Sequence, residues 1–286
     1  MAILVNEETR VLIQGITGTQ GRYHALKMLE YNVKVIGGVT PGRGGEKIWD
    51  LPVYDTVSEA KMNHRMDATM IIVPAAGVLG AAVEAMESRI PLIVIITEFV
   101  PFHDALQIRS LAAKDDLCVV GPNTIGIISP DRSKVGIMPG FIYSRGDVGI
   151  ISRSGTLTHE IASNLTYRGI GQSTCVCIGG DAVKKTDFID VLKMFRDDVE
   201  TNKIIMIGEI GGSGEELAAQ YLKENHYPKM VAAYIAGLTA PREKRMGHAG
   251  AIIARGFGTP ESKIKHLTEA GVRVAGSMDE LLQLVK

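Results

Sequence analysis

In the stretch KRMGHAGAII (244–253) a single imidazole, His248, sits among glycines and an alanine directly before an apolar run. Small neighbours give a loop freedom to move and leave the ring within reach of a ligand, whereas a structural histidine is more often fenced by apolar side chains. A neutral imidazole can serve as a base, a metal ligand or a nucleophile. No second histidine stands at metal-ligand spacing, which disfavours a metal. A histidine that attacks phosphoryl groups needs an acid to orient its ring and donors to hold the phosphate. Glu209, at the end of KIIMIGEIGG (203–212), is a candidate for the acid. Ser152, Ser154, Gly155 and Thr156 in SRSGTLTHE (152–160) lie between a strand pattern and a helix pattern, where hydroxyls and free N–H groups suit an anion. The same loop resembles a strained-turn serine nucleophile, but G-x-S-x-G is missing, so serine catalysis is not expected.

A second candidate site lies near the start of the chain. QGITGTQGRYHALKM (14–28) places Gly15, Gly18 and Gly21 where a strand pattern passes into a helix pattern. Without a Cβ, glycine lets backbone N–H groups close on a phosphate, and the helix N-terminus adds a favourable dipole; the same glycines also suit a tight turn that binds nothing. A dinucleotide fold would place an Asp or Glu about 20 residues further on to hold a ribose hydroxyl. Here that region reads GGVTPGRGGEK (37–47), with no acid at the strand tip and Arg43 in a second glycine-rich loop. NAD is disfavoured, and a ligand richer in phosphate, coenzyme A or NADP, suits the arginine. IITEF (95–99) and GPNTIG (121–126) end two further strand patterns, on the edge where open α/β sheets bind ligands. Glu98 there can accept from an adenine or a pantetheine amide, or simply be solvated.

The elements that must carry these residues alternate. Strand patterns at 10–15, 33–39, 68–73, 91–97 and 118–121 are separated by helix patterns at 22–32, 75–88 and 103–116. Such succession predicts parallel βαβ units with both sheet faces covered. Residues 129–147 are rich in turn formers and read as a junction. Alternation then resumes, with strands at 148–153, 174–179, 203–212, 229–237 and 273–276 and helices at 156–168, 186–196, 214–225, 259–270 and 278–285. The expected division is 1–128, 129–147 and 148–286, two α/β domains around a junction. A chain of 286 residues is long enough for two cores.

Composition bounds the function. With 31 Lys and Arg against 32 Asp and Glu and no long single-sign run, bulk attraction to nucleic acid or an anionic membrane is not expected. Cys118, Cys175 and Cys177 lie in apolar runs with no C-x-x-C grouping, which fits buried thiols in a reducing cytosol. MAILVNEETR lacks the pattern of a signal peptide, and no apolar run is long enough for a membrane helix. A cytoplasmic globular protein is expected.

Taken together, GGVTPGRGG, GPN, SRSGTLT, GIGQST, MIGEIGG and AGLTAPREKRMGHAGAII, in this order, resemble the α subunit of succinyl-CoA synthetase over essentially the whole chain. The resemblance implies a Rossmann-like CoA-binding domain followed by a flavodoxin-like ligase domain. It implies a β-subunit partner with an ATP-grasp site holding ATP or GTP with Mg²⁺, in an αβ or α2β2 assembly. His248 matches the family's phosphohistidine and Glu209 the glutamate that contacts it. Thr17, Gly18, Thr19, Gln20, Arg43, Ile96, Thr97 and Glu98 match its CoA-contacting segments, with arginine where the family usually has lysine.

Two segments depart from the family. GPNTIG stands for GPNCPG, so Asn123 is followed by Thr124 and Ile125, and His159 replaces a tyrosine in GTLTHE. By resemblance both segments, with Ser152, Ser154, Gly155 and Thr156, face the acid substrate. The implied reaction is reversible formation of succinyl-CoA in the citric acid cycle, with malate, citrate or another dicarboxylate as an alternative acid. A non-catalytic CoA- or NADP-sensing module would not need His248 with Glu209, and an NADP-dependent reductase would bind nicotinamide.

Overall fold

The computed structural model describes residues 2–241, 246–253 and 258–286, so the basic run at 242–245 and the segment 254–257 fall outside it. Residues 4–140 with 183–185 form one compact unit, and 141–182 with 186–286 form another.

In the first unit the strands are β1 (Arg10–Gln14), β2 (Lys34–Val39), β3 (Lys47–Ile48), β4 (Leu51–Tyr54), β5 (Ala68–Ile71), β6 (Leu92–Ile95) and β7 (Cys118–Val120). They form a sheet in the order β3-β4-β2-β1-β5-β6-β7, parallel except for the β3–β4 pair. Leaving out β3, this is the Rossmann order 3-2-1-4-5-6. The helices are α1 (Thr19–Leu29), α2 (Val57–Asn63), α3 (Val78–Glu87) and α4 (Phe102–Lys114). Central strands such as Ala68–Ile71 and Leu92–Ile95 are buried at every position, because helices cover both faces of a parallel sheet. Ile71, Ile93 and Ile95 pack with Val78, Ala82, Ala85, Ile108 and Ala112 in one core cluster.

The sequence reading passed over the region 47–63, where β3, β4 and α2 are too short to show a period. Strands β8 (Gly126–Ser129) and β9 (Ser133–Gly136) pair antiparallel, so part of the turn-rich segment 129–147 is a hairpin. Gly126 and Gly136 face each other across it with positive φ, and a Cβ on either would meet backbone atoms closer than 2.5 Å, at 2.1 Å and 2.3 Å.

In the second unit β10 (Arg145–Ser152), β11 (Gln172–Cys177), β12 (Lys203–Glu209), β13 (Met230–Ala236) and β14 (Arg273–Ala275) are parallel. They run in the order β14-β13-β12-β10-β11, the flavodoxin order 2-1-3-4-5 read from β11. The chain therefore leaves β10 to one side for β11 and returns to its other side for β12. The helices are α5 (Gly155–Tyr167), α6 (Phe188–Asp197), α7 (Gly214–Glu224), α8 (Pro260–Glu269) and α9 (Met278–Leu284). Their starts are well signalled: Ser154 caps α5, Asp187 and Asp190 form a capping box on α6, and Thr259 with Pro260 opens α8. Cys175 and Cys177 are fully buried within β11. Among the described residues no helix is long and apolar enough to cross a membrane.

Candidate active site

In a doubly wound sheet, ligands bind beyond the C-terminal strand ends where the winding reverses. In the second unit that point lies between β10 and β12, paired with Ser152 beside Ile207. Arg153 follows β10 immediately, and Glu209 is the last residue of β12. His248 reaches the same place from the glycine loop: its Nδ1 lies 2.8 Å from Glu209 Oε2. The two residues singled out in the sequence therefore meet, 39 positions apart in the chain.

Small residues make this meeting possible. The His248 ring lies so close to Gly180 that a Cβ there would be 2.4 Å from its Cγ. Gly250 N–H donates to Gly180 O at 3.1 Å, and Ala251 N–H closes a turn onto His248 O at 3.1 Å. Gly211, at φ +84°, lets the loop pass: a Cβ there would be 2.1 Å from Gly250 O.

Beneath the histidine lies a buried ionic cluster that the sequence reading missed. Glu215 and Lys263 are fully buried, and Arg153 is 5% exposed. Arg153 Nη1 donates to Glu215 Oε1 at 3.1 Å and to Gly211 O at 2.8 Å, while Nη2 stands 3.3 Å from Glu209 Oε1. Lys263 Nζ pairs with Glu215 Oε2 and donates to the carbonyls of Glu209 (2.8 Å) and Gly211 (2.7 Å). Glu215 Oε1 also accepts the N–H of Glu209 at 3.1 Å. Burial pushes the Glu215 carboxyl up, but the Arg153 and Lys263 charges outweigh it and hold the group below the ordinary range. The Lys263 ammonium is lowered by burial, partly offset by Glu215. His248 is raised by its hydrogen bond to Glu209, against the opposing pull of burial and of Arg153.

A carboxylate can only accept, so the 2.8 Å contact with Glu209 makes Nδ1 the donor and leaves Nε2 with the lone pair. The arrangement can present a nucleophilic Nε2. Ser152, Ser154, Gly155 and Thr156 occupy the turn into α5. The hydroxyls of both serines are engaged inside the turn: Ser152 Oγ donates to Ser154 O at 2.9 Å, and Ser154 Oγ accepts Leu157 N–H at 3.3 Å. Any anion at this helix start would therefore be met by first-turn N–H groups, which have no intrahelical acceptor. His159 is half-buried, its Nε2 has no hydrogen-bond partner, and burial lowers its pKa, which favours neutral imidazole over a cation.

The first unit holds a cleft of about 490 Å³ at its own reversal point, the C-terminal ends of β1, β2 and β5. Thr17, Gly18, Thr40 and Val73 help line it. Gly15 and Gly21 are required by the turn itself, since a Cβ on them would meet Ile72 O at 2.6 Å and Gly15 O at 2.1 Å. Gly18 is different: a Cβ there would sit 3.4 Å from Gly15 O, an ordinary contact. It is the N-cap of α1, with no side-chain cap, and so leaves the first-turn N–H groups open to a ligand. A ligand with phosphates and an apolar arm fits these walls.

Thr19 and Gln20 are exposed beside this cleft in the first turn of α1. Arg43 does not line it; its exposed guanidinium pairs with Glu46, three residues beyond the Thr40 wall. Ile96, Thr97 and Glu98 follow β6, with Thr97 Oγ1 bonded to Val73 O at 2.7 Å and Glu98 exposed. Asn123 takes positive φ, its N–H donating to Thr97 O at 3.0 Å. Thr124 is buried, with its hydroxyl accepting Gly126 N–H at 2.9 Å, and Ile125 is partly buried.

Family models match both halves of the chain, a CoA binding domain over residues 6–99 and a CoA-ligase domain over 151–273. The succinate–CoA ligase [ADP-forming] subunit alpha 2 of Archaeoglobus fulgidus is 51% identical over 285 residues, covering 100% of this chain and 99% of that protein. The corresponding α subunit of Staphylococcus epidermidis is 46% identical over 281 residues, covering 98% and 93%. Among solved structures, ATP citrate lyase from Methanothrix soehngenii in complex with citrate and coenzyme A matches with a TM-score of 0.90 at 24% identity. That match covers 99% of this chain but only 50% of the lyase, and at this identity the likeness is one of fold. A dinucleotide-forming acetyl-coenzyme A synthetase from Ca. Korarchaeum cryptofilum matches in the same way, with a TM-score of 0.79 at 20% identity over 98% of this chain and 61% of that one. The chain belongs to the family of succinate–CoA ligase α subunits.

Proposed function

We propose that the chain is the α subunit of an NDP-forming succinate–CoA ligase, in which His248 carries the phosphoryl group between a nucleotide and the acid. The observation that carries this reading is the Glu209–His248 contact at 2.8 Å, which leaves Nε2 as the free nucleophile. Nε2 attacks the γ-phosphorus of the triphosphate and the diphosphate leaves. A succinate carboxylate oxygen then takes the phosphoryl group, which forms succinyl phosphate and returns the imidazole to its neutral state. The CoA thiol attacks the acyl carbon, and inorganic phosphate departs as the thioester forms. In this reading ATP or GTP with Mg²⁺ binds a β subunit of ATP-grasp character, in an αβ or α2β2 assembly. This chain contributes the CoA cleft at Thr17–Gln20, the acid-facing turn at 152–156 and the histidine loop.

Succinate is the acid named for the similar α subunits, and the local bonding of Thr124 is consistent with it. Its hydroxyl, the polar group gained relative to the family's cysteine, is buried and holds the N–H of Gly126. His159 likewise lies in surroundings that favour its neutral form, so it adds no cation for a third carboxylate.

The test is phosphoenzyme formation in the complex with its partner subunit. Incubation with γ-labelled triphosphate should give an acid-labile, base-stable label on this chain that His248→Asn abolishes and Glu209→Gln slows by about 10²-fold. Label persisting in His248→Asn would refute the assignment. A kcat/KM series over succinate, malate and citrate should place succinate first.

A further inference from the structure

Four charged side chains sit behind the His248 ring: Arg153, Glu209, Glu215 and Lys263, each at least nine-tenths buried. Stability alone does not require them, because a buried ionic cluster is commonly no more stabilising than apolar side chains of the same volume. Their geometry divides the arginine in two. Nη1 is held by parts of the frame, Gly211 O at 2.8 Å and Glu215 Oε1 at 3.1 Å. Nη2 faces the working groups, with Glu209 Oε1 at 3.3 Å and the histidine-loop carbonyl of Gly250 at 3.5 Å. Lys263 fixes the same frame from below through the carbonyls of Glu209 and Gly211. Glu209 Oε1 is buried and makes no hydrogen bond, so the Nη2 charge is what holds that oxygen and turns Oε2 toward Nδ1.

We infer that Arg153 is a positioning residue for phosphoryl transfer, clamping Glu209 and the Gly250 carbonyl together so that His248 docks with Nδ1 on Glu209 and Nε2 open; this rests on the reading of His248 as the phosphoryl acceptor. A planar fork can serve frame and loop at once. A lysine ammonium, as a point charge on a flexible stem, cannot span both.

Among the described residues, the charged groups facing His248 are Glu209 from β12, Arg153 after β10 and Asp181, with Glu215 on α7 and Lys263 on α8 behind them. Arg153 lowers the imidazole's proton affinity, so removing its charge should move the acid limb of the phosphorylation profile to higher pH. Neutral imidazole is the nucleophile, and its protonation would then begin at higher pH.

The experiment is rapid-quench labelling of the αβ complex with γ-labelled triphosphate from pH 5.5 to 8.5, as probe conditions, with thermal unfolding followed in parallel. Arg153→Lys should slow labelling about tenfold with the acid limb unmoved, since the charge stays and the fork is lost. Arg153→Met should slow it about 10²-fold and raise the acid limb, with the KM for nucleotide unchanged. If Arg153→Met does not fold, the Arg153→Lys rate decides alone. Labelling at the wild-type rate in Arg153→Lys overturns the inference. So does a loss that follows the folded fraction with no change in the acid limb of Arg153→Met, which would make Arg153 a stability residue. Failure of the wild-type chain to take label overturns the reading of His248 instead.

Discussion

The two strand-to-helix turns, Gly15–Gly21 after β1 and Ser152–Gly155 after β10, start from the same topology and end as opposites. The first has a glycine N-cap, no side-chain cap and exposed Gly18, Thr19 and Gln20 around an open cleft. The second has a serine N-cap with both hydroxyls tied inward, and it buries Arg153 against two carboxylates. An open turn suits a large ligand that arrives by diffusion and must bring its own surface area. A closed turn suits a covalent carrier, whose nucleophile must be held in one orientation. The first turn has no side-chain cap over the start of its helix, whereas both serine hydroxyls of the second are engaged within the turn.

If the second turn is a closed electrostatic frame, breaking its deepest member should cost most. Glu215→Ala strands Arg153 and Lys263 without their shared partner and should lower unfolding stability by about 3–5 kcal/mol, read by chemical denaturation. The pH sign is set by Glu215: its folded pKa lies below the unfolded value, so its contribution is present above the unfolded pKa and is lost as pH falls through the folded one. Denaturation midpoints should accordingly decline in acid for the wild type and much less for Glu215→Ala.

Changes in the exposed loop after β2, beside the open cleft, should leave the fold intact and alter only binding. Arg43→Ala should weaken CoA by about tenfold or more without moving the melting temperature, as expected for loss of a charge-assisted contact to phosphate. Glu46 competes for the same guanidinium, so Glu46→Gln should tighten CoA by about two- to fivefold. Calorimetry on the chain checks both, and NAD should give no heat.

A further change tests how the carrier rests on its frame. Gly180→Ala puts a methyl group where the His248 ring lies, 2.4 Å from its Cγ, so the ring must shift. Labelling should fall by about tenfold while the melting temperature holds, since overpacking of this kind costs on the order of 1–3 kcal/mol and falls on the docked pose alone. An equal fall in both would mean that Gly180 is a core contact of the fold.

Alternation of β-branched runs with amphipathic ones was enough to place both parallel sheets, because period 2 and period 3.6 are local properties of the chain. It failed at β3, β4 and α2, where two to seven residues are too few to show a period, and at the β8–β9 hairpin, whose glycines read as loop. Glu209 was legible as an acid at a strand end and His248 as an imidazole freed by small neighbours. Their pairing was read from the need for an acid partner and from the family resemblance rather than from any local pattern, because strand order decides which ends adjoin, and order is a property of the whole sheet. Arg153 stood in plain view inside SRSGT, while Glu215, in the first turn of α7, and Lys263, on α8, carry no local pattern that marks them as site residues. Tertiary structure alone brought them together from as far apart as positions 153 and 263 and removed the water from around them. Once water is gone, a charge must find its opposite or neutralise. Local sequence supplied the charges, and the winding of the second sheet decided which of them would meet.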